Sequence, residues 1–80
     1  MKLEISTFNK SIAPVEVSQV SIPTEKGETL ILPGHAPMIS RLGEGTLSYQ
    51  SKGENKSFQI AGGTLEVRND SIIVACDQLS

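Results

Sequence analysis

The chain of 80 residues has no tryptophan, one histidine and one cysteine, and only Phe8, Tyr49 and Phe58 are aromatic. Each shortage closes off a class of function. A lone Cys76 forbids an internal disulfide and fits a reducing compartment. With His35 and Cys76 far apart and no paired ligands around either, no metal site is expected. Three aromatic rings are too few for a base-stacking platform. Seven basic against nine acidic side chains, a net charge of −2, supply no electrostatic attraction to nucleic acid or to an anionic membrane surface. No stretch approaches the ~20 apolar residues that cross a bilayer. Met1-Lys2-Leu3-Glu4-Ile5 lacks the apolar core of a signal peptide. The chain therefore reads as soluble, meeting a membrane only through a partner. Helical periodicity is missing too: no run repeats apolar residues at i, i+3, i+4 and i+7.

What remains is a succession of short strands and turns, the pattern of an all-β fold. Residues 2–6 alternate polar and apolar. Ile12-Ala13-Pro14 is a short extended piece, with Pro14 suited to an edge. Val15 and Val17 share one parity while Val20 and Ile22 share the other, so a bulge, a twist or a change of sheet is expected at Ser18-Gln19. Pro23 to Gly27 is a charged turn, and Gly43-Glu44-Gly45 reads as another. Residues 46–50, 57–61 and 64–67 each alternate. Ser51 to Asn55 is a hairpin loop containing glycine, Gly62-Gly63 marks a bulge or a close backbone contact, and Asn69-Asp70 is a tight turn. Ile72 to Cys76 is continuously apolar and is expected to be covered on both faces, with Cys76 as an inert core residue. Residues 1–80 make one domain, and a chain this short buries only roughly 60 % of its unfolded surface.

The least generic stretch is Gly27-Glu28-Thr29-Leu30-Ile31-Leu32-Pro33-Gly34-His35-Ala36-Pro37-Met38. A short apolar strand, Leu30 to Leu32, runs into a turn whose two prolines fix their own φ and hold Leu32 and Ala36 extended. Gly34 can take a positive φ. Such a turn is stiff. It either rounds a corner or presents side chains at fixed positions. Glu25, Lys26 and Glu28 form a mixed-charge cluster beside it, which serves as a solvated turn or as a polar contact for another subunit.

Catalysis has one candidate, His35, the residue that titrates near neutral pH unaided. No serine sits in a Gly-x-Ser-x-Gly elbow to serve as its nucleophile, and no helix follows Gly62-Gly63 to build a phosphate cradle. Neither a catalytic residue nor a cofactor site is assigned. A peptide- or nucleic-acid-binding β module is the alternative reading, supported by size and β content alone.

Several blocks together resemble one family. Gly27-Glu28 with Ile31-Leu32-Pro33-Gly34-His35-Ala36-Pro37 resembles the signature of the epsilon subunit of bacterial rotary ATP synthases. Lys2 to Ile5 resembles the family's first strand. Gly45-Thr46-Leu47 is similar to its Gly-x-Leu strand start, Ala61 to Val67 to its Gly-Gly-x-x-Glu-Val run, and Ile73 to Asp77 to its last strand. Ala13-Pro14-Val15 departs from the family's Phe-x-Gly. The resemblance implies a flattened β-sandwich or barrel of about ten short strands and a role without catalysis. That role is a central-stalk rotor subunit that binds the gamma subunit, rests on the polar loops of the c-ring, and helps couple ion-driven rotation to ATP synthesis. It further implies c-ring contacts at Glu28 and Lys26, gamma contacts at His35, Ala36, Met38 and Thr7, and a structural loop held by Gly27, Pro33, Gly34 and Pro37. The subunit would sit at the cytoplasmic face of the bacterial membrane, attached through the complex and not inserted. Family members continue into two C-terminal helices where this sequence stops at Ser80, so inhibition of ATP hydrolysis by that hairpin is not expected of it.

Overall fold

The computed structural model describes residues Met1–Ser80, and every regular element in it is a strand. In chain order these are β1 (Lys2–Ser6), β2 (Ser11–Glu16), β3 (Gln19–Thr24), β4 (Gly27–Ile31), β5 (Met38–Arg41), β6 (Glu44–Ser51), β7 (Glu54–Arg68) and β8 (Ser71–Leu79). They follow one hydrogen-bonded path, β2-β1-β8-β7-β6-β3-β4, with β5 added on β7. All pairs are antiparallel except β1 with β8. The expected all-β sandwich is present with eight strands instead of about ten. The count falls because residues 57–61 and 64–67, read as two strands, belong to the single 15-residue β7.

One path makes two layers because β7 bends in the middle. Its register with β5 (Met38↔Val67 to Arg41↔Thr64) and with β6 (Glu44↔Ala61 to Ser51↔Glu54) is the same on both sides of the bend. The Leu42 N–H donates to the Gly63 carbonyl across the gap, 2.9 Å. β5 and β6 are thus two arms of one long run, folded at Leu42-Gly43 opposite Gly62-Gly63. β8 keeps its own register with β7 through the same level. A Cβ on Gly63 would overlap the Ala75 carbonyl oxygen and stand 2.6 Å from the Cys76 Cα, with φ at +116°. This is the close backbone contact expected of the glycine pair. Gly43-Glu44-Gly45, expected as a turn, is the matching bend: the chain changes layer there without reversing direction, and Glu44 and Gly45 already belong to β6. The Gly43 N–H to Pro23 carbonyl bond and the Glu25 N–H to Arg41 carbonyl bond, both 3.0 Å, tie the end of β3 to this corner.

Side chains alternate across each strand, so Leu3 and Ile5, Val20 and Ile22, Leu47 and Tyr49, Leu65 and Val67, and Ile72, Val74 and Cys76 all point into one core of 15 buried residues. Each fully buried aliphatic side chain contributes about 1.5–3 kcal/mol. The parity switch at Ser18-Gln19 is a change of layer: β2 pairs with β1, whereas β3 pairs with β4 and β6. The two valine phases meet the same core from opposite sides. β8 differs from expectation. Ile72, Val74 and Cys76 are buried, but Ile73 and Ala75 face outward. A strand in the middle of a layer still has one solvent face when nothing is packed over it.

Candidate functional site

The connector between β4 and β5 is built as its residues dictate. The His35 N–H donates to the Leu32 carbonyl at 3.1 Å, closing a turn with Pro33 and Gly34 at its centre. Proline at the second position and φ of +85° at Gly34 fit a type II turn. No atom lies within 4 Å of where a Gly34 Cβ would stand, so glycine serves the backbone angle there and not a lack of space. His35 Nδ1 lies 2.7 Å from the Ala36 carbonyl oxygen. A carbonyl only accepts, so Nδ1 carries the proton and the ring is pinned to its own loop. His35 and Met38 are half-buried, Met38 against the core, while Ala36 and Pro37 are exposed.

This stretch is apolar where it meets solvent. Leu30 is 52 %, Leu32 46 % and Ile39 79 % exposed, three of the five large hydrophobic residues that lie open. Leu30 and Leu32 lie on and just past β4, which pairs with β3, whereas Ile39 lies on β5, which pairs with β7, and apolar residues exposed singly need no explanation. Pro37, Met38 and Ile39 also line a shallow groove of about 460 Å³ with Glu66, Val67 and Arg68.

The charged residues of the motif stand at the other end of β4. Thr24, the one buried polar residue, organises them. Its hydroxyl donates to the Gly27 carbonyl (2.8 Å) and accepts from the Lys26 N–H (3.2 Å), which fixes the Glu25-Lys26 turn. The sequence does not single out Thr24, although a threonine ahead of a charged turn is a signal for this arrangement. Glu28 is exposed, and its carboxylate accepts from the Ser21 hydroxyl at 2.6 Å. Neither Lys26 nor Glu28 makes an ion pair within the chain; the ion pairs are those of the Met1 ammonium with Glu16 and Asp70, and of Arg68 with Glu66.

Thus Lys26, Gly27 and Glu28 gather at the corner end of β4, and Pro33, Gly34, His35, Ala36, Pro37 and Met38 lie past its far end. Thr7 is not brought to either group. It follows Ser6, which lies level with Ala75 on β8, in a strand separated from β5 by β8 and β7. Its hydroxyl donates to Asn9 Oδ1 and accepts from the Lys10 N–H, both at 3.1 Å, shaping the β1–β2 loop. At the tip of that loop Phe8 is 94 % exposed, a feature without any periodicity signal in the sequence.

His, Cys, Asp and Glu nowhere gather in a group of three or more. Cys76 is buried, and burial pushes its thiol up. No helix of the chain is long and apolar enough to cross a membrane.

The model of the family described as ATP synthase, Delta/Epsilon chain, beta-sandwich domain, matches residues 1–80. The ATP synthase epsilon chain of Solibacter usitatus is 36 % identical over 77 residues, which is 96 % of this chain and 58 % of that relative. Its counterpart in Dehalococcoides mccartyi is 40 % identical over 77 residues, 96 % of this chain and 55 % of the relative. The chain thus spans little more than half the length of the curated relatives it matches. Among solved structures, a chain of the Euglena gracilis mitochondrial ATP synthase superposes with a TM-score of 0.87 at 23 % identity, covering 98 % of this chain and 51 % of that one. A chain of the Tetrahymena thermophila ATP synthase central stalk and c-ring superposes with a TM-score of 0.85 at 18 % identity, covering 100 % and 65 %. At such identities these two show that the sandwich is shared.

Proposed function

The chain belongs to the delta/epsilon chain family of ATP synthases through its β-sandwich domain, and from that premise we propose that it is a non-catalytic rotor subunit joining the gamma subunit to the c-ring. The supporting observation is the stretch from Gly27 to Met38, which carries a charged turn at one end and a proline-stiffened apolar connector at the other. Lys26 and Glu28 meet the polar loops of the ring. His35, Ala36 and Met38 meet gamma, and Thr7 marks a second gamma contact on the β1–β2 loop. Torque passes between two partners only if the contact geometry persists through each turn, and prolines hold that geometry without help from neighbours. The subunit then sits at the cytoplasmic face of the membrane by association alone.

Purification of the tagged chain from its native host tests the reading: gamma and c subunits are expected to copurify, and recovery of neither overturns it. The charge contact has its own test. An exposed ion pair contributes about 0.2–1 kcal/mol, so Glu28→Gln is expected to lower coupling between ATP synthesis and ion flow slightly, more at low ionic strength. Coupling unchanged across salt concentrations removes Glu28 from the interface.

A further inference from the structure

β4 is an outer strand: it pairs with β3 and with nothing on its other side. Its free edge is set by the hairpin that precedes it. The two-residue turn Glu25-Lys26 makes Thr24 and Gly27 a hydrogen-bonded pair, and alternation repeats that pairing at Ile22↔Thr29 and Val20↔Ile31. The backbone N–H and C=O groups of Thr29 and Ile31 therefore face β3. Those of Glu28 and Leu30 face away, and no turn or loop elsewhere in the chain engages them. The Leu32 N–H continues the same series.

Proteins blunt such edges with proline, lysine, bulges or very short strands. The other two edges are blunted. β2 carries Pro14, and its register with β1 breaks between Leu3 and Ile5. β5 has four residues, and the Glu25 N–H occupies the Arg41 carbonyl. β4 has none of these protections. Glu28, its one charged side chain, is drawn across β3 by the Ser21 hydroxyl, which uses Oε1 and leaves Oε2 without a partner in the chain. Beside the open backbone lie the exposed Leu30 and Leu32.

We propose that the outer edge of β4 receives an extended segment of the gamma subunit as an added strand. The segment carries aliphatic side chains at alternate positions against Leu30 and Leu32. Main-chain bonds supply the attachment and the alternate side chains the selectivity, as in other strand additions. Gamma is the occupant because the edge runs without interruption into the connector assigned to gamma above, and the added strand rests on that assignment.

Amide hydrogen exchange on the whole chain, alone and with purified gamma subunit or isolated c-ring, tests this. In the free chain the amides of Glu28 and Leu30 should exchange quickly while those of Thr29 and Ile31 are protected. Gamma should slow Glu28 and Leu30 at least tenfold. Leu30→Pro deletes one outward N–H and spares the bonds to β3. It should keep the protection of Ile31, showing that the variant folds, and weaken gamma binding at least tenfold. Gamma binding with Glu28 and Leu30 still exchanging quickly, or Leu30→Pro binding as tightly as the parent, overturns the strand addition and leaves the rotor reading standing. Protection of the Leu30 amide by the c-ring alone, or protection of it in the free chain that rises with its concentration, overturns it in favour of the ring or of a second copy. If gamma does not bind at all, the rotor reading falls together with the added strand.

Discussion

Glycine stands at both bends of the molecule, and its two uses are opposite. At the corner, Gly63 is hemmed in by main chain, and its missing Cβ is what lets β7 pass against Ala75 and Cys76 of β8. In the connector, Gly34 has open space around it and is required only by the turn. The corner is rigid because it is packed. The connector is rigid because two prolines restrict it, and its surface stays uncovered. A segment stiffened by covalent restraint loses little freedom on docking. One stiffened by burial has no surface left to offer.

The largest expected effect breaks the corner. Gly63→Ala adds a strained φ to an overlap with main chain that cannot move aside, a cost of roughly 3–5 kcal/mol. Chains of this size have about 4–12 kcal/mol in total, so urea denaturation should show most of the stability gone. A midpoint within error of the parent would mean that the corner is looser than the packing implies. Thr24→Val comes next. It keeps the shape and removes the hydroxyl that serves Gly27 and Lys26, for a loss of about 1–3 kcal/mol, and exchange of the Lys26 amide should speed up. Gly34→Ala is smaller, about 1–2 kcal/mol from the left-handed backbone alone. Protection in the core should be unchanged, because nothing there touches it. A Gly34 variant less stable than the Gly63 variant would overturn the contrast between the two bends.

The smallest effect is read by pH. Burial raises the Cys76 thiol, the Asp77 carboxylate adds to the rise, and a backbone hydrogen bond opposes it. Below about pH 8.5 the thiol is neutral in both folded and unfolded chains and its contribution is complete. Above that the unfolded chain ionises first, and stability falls as pH rises toward the folded value. The Met1 ammonium, raised chiefly by its hydrogen bond to Glu16 and opposed by desolvation, loses its contribution in the same direction. Urea midpoints should therefore decline slightly between pH 8 and 10, and Cys76→Ala should remove part of the decline. An identical slope in that variant would assign all of it to the amino terminus.

Local signals were legible in the sequence where local chemistry decides the structure. Charged or glycine-containing turns at Glu25-Lys26, Lys52-Gly53 and Asn69-Asp70, the alternating strands and the buried Cys76 all stand where residue types placed them. The crossing at Ser18-Gln19 was legible because a parity switch has few physical causes. Bends were not. Gly43-Glu44-Gly45 and Gly62-Gly63 break the pattern whether a chain reverses or folds over a corner, and the choice depends on the partner strand. The outward Ile73 and Ala75 were hidden for a related reason, since an apolar run records composition and not which face is covered. For the candidate site, the stiffness of Pro33 to Pro37 could be read from the proline rules, whereas the bare edge of β4 needed the register with β3.

The parallel pairing of β1 with β8 has a consequence for synthesis. β8 lies between β1 and β7, so the strand that completes this layer is the last of the eight to leave the ribosome. Until residues 71–79 emerge, β1 has only β2 to pair with, and a lone two-stranded hairpin is at best marginally stable. The β3–β4 and β6–β7 hairpins are made of neighbours in sequence and can form as they appear. The first strand translated is among the last to be secured, and the nascent chain must carry an open edge at β1 until residues 71–79 emerge.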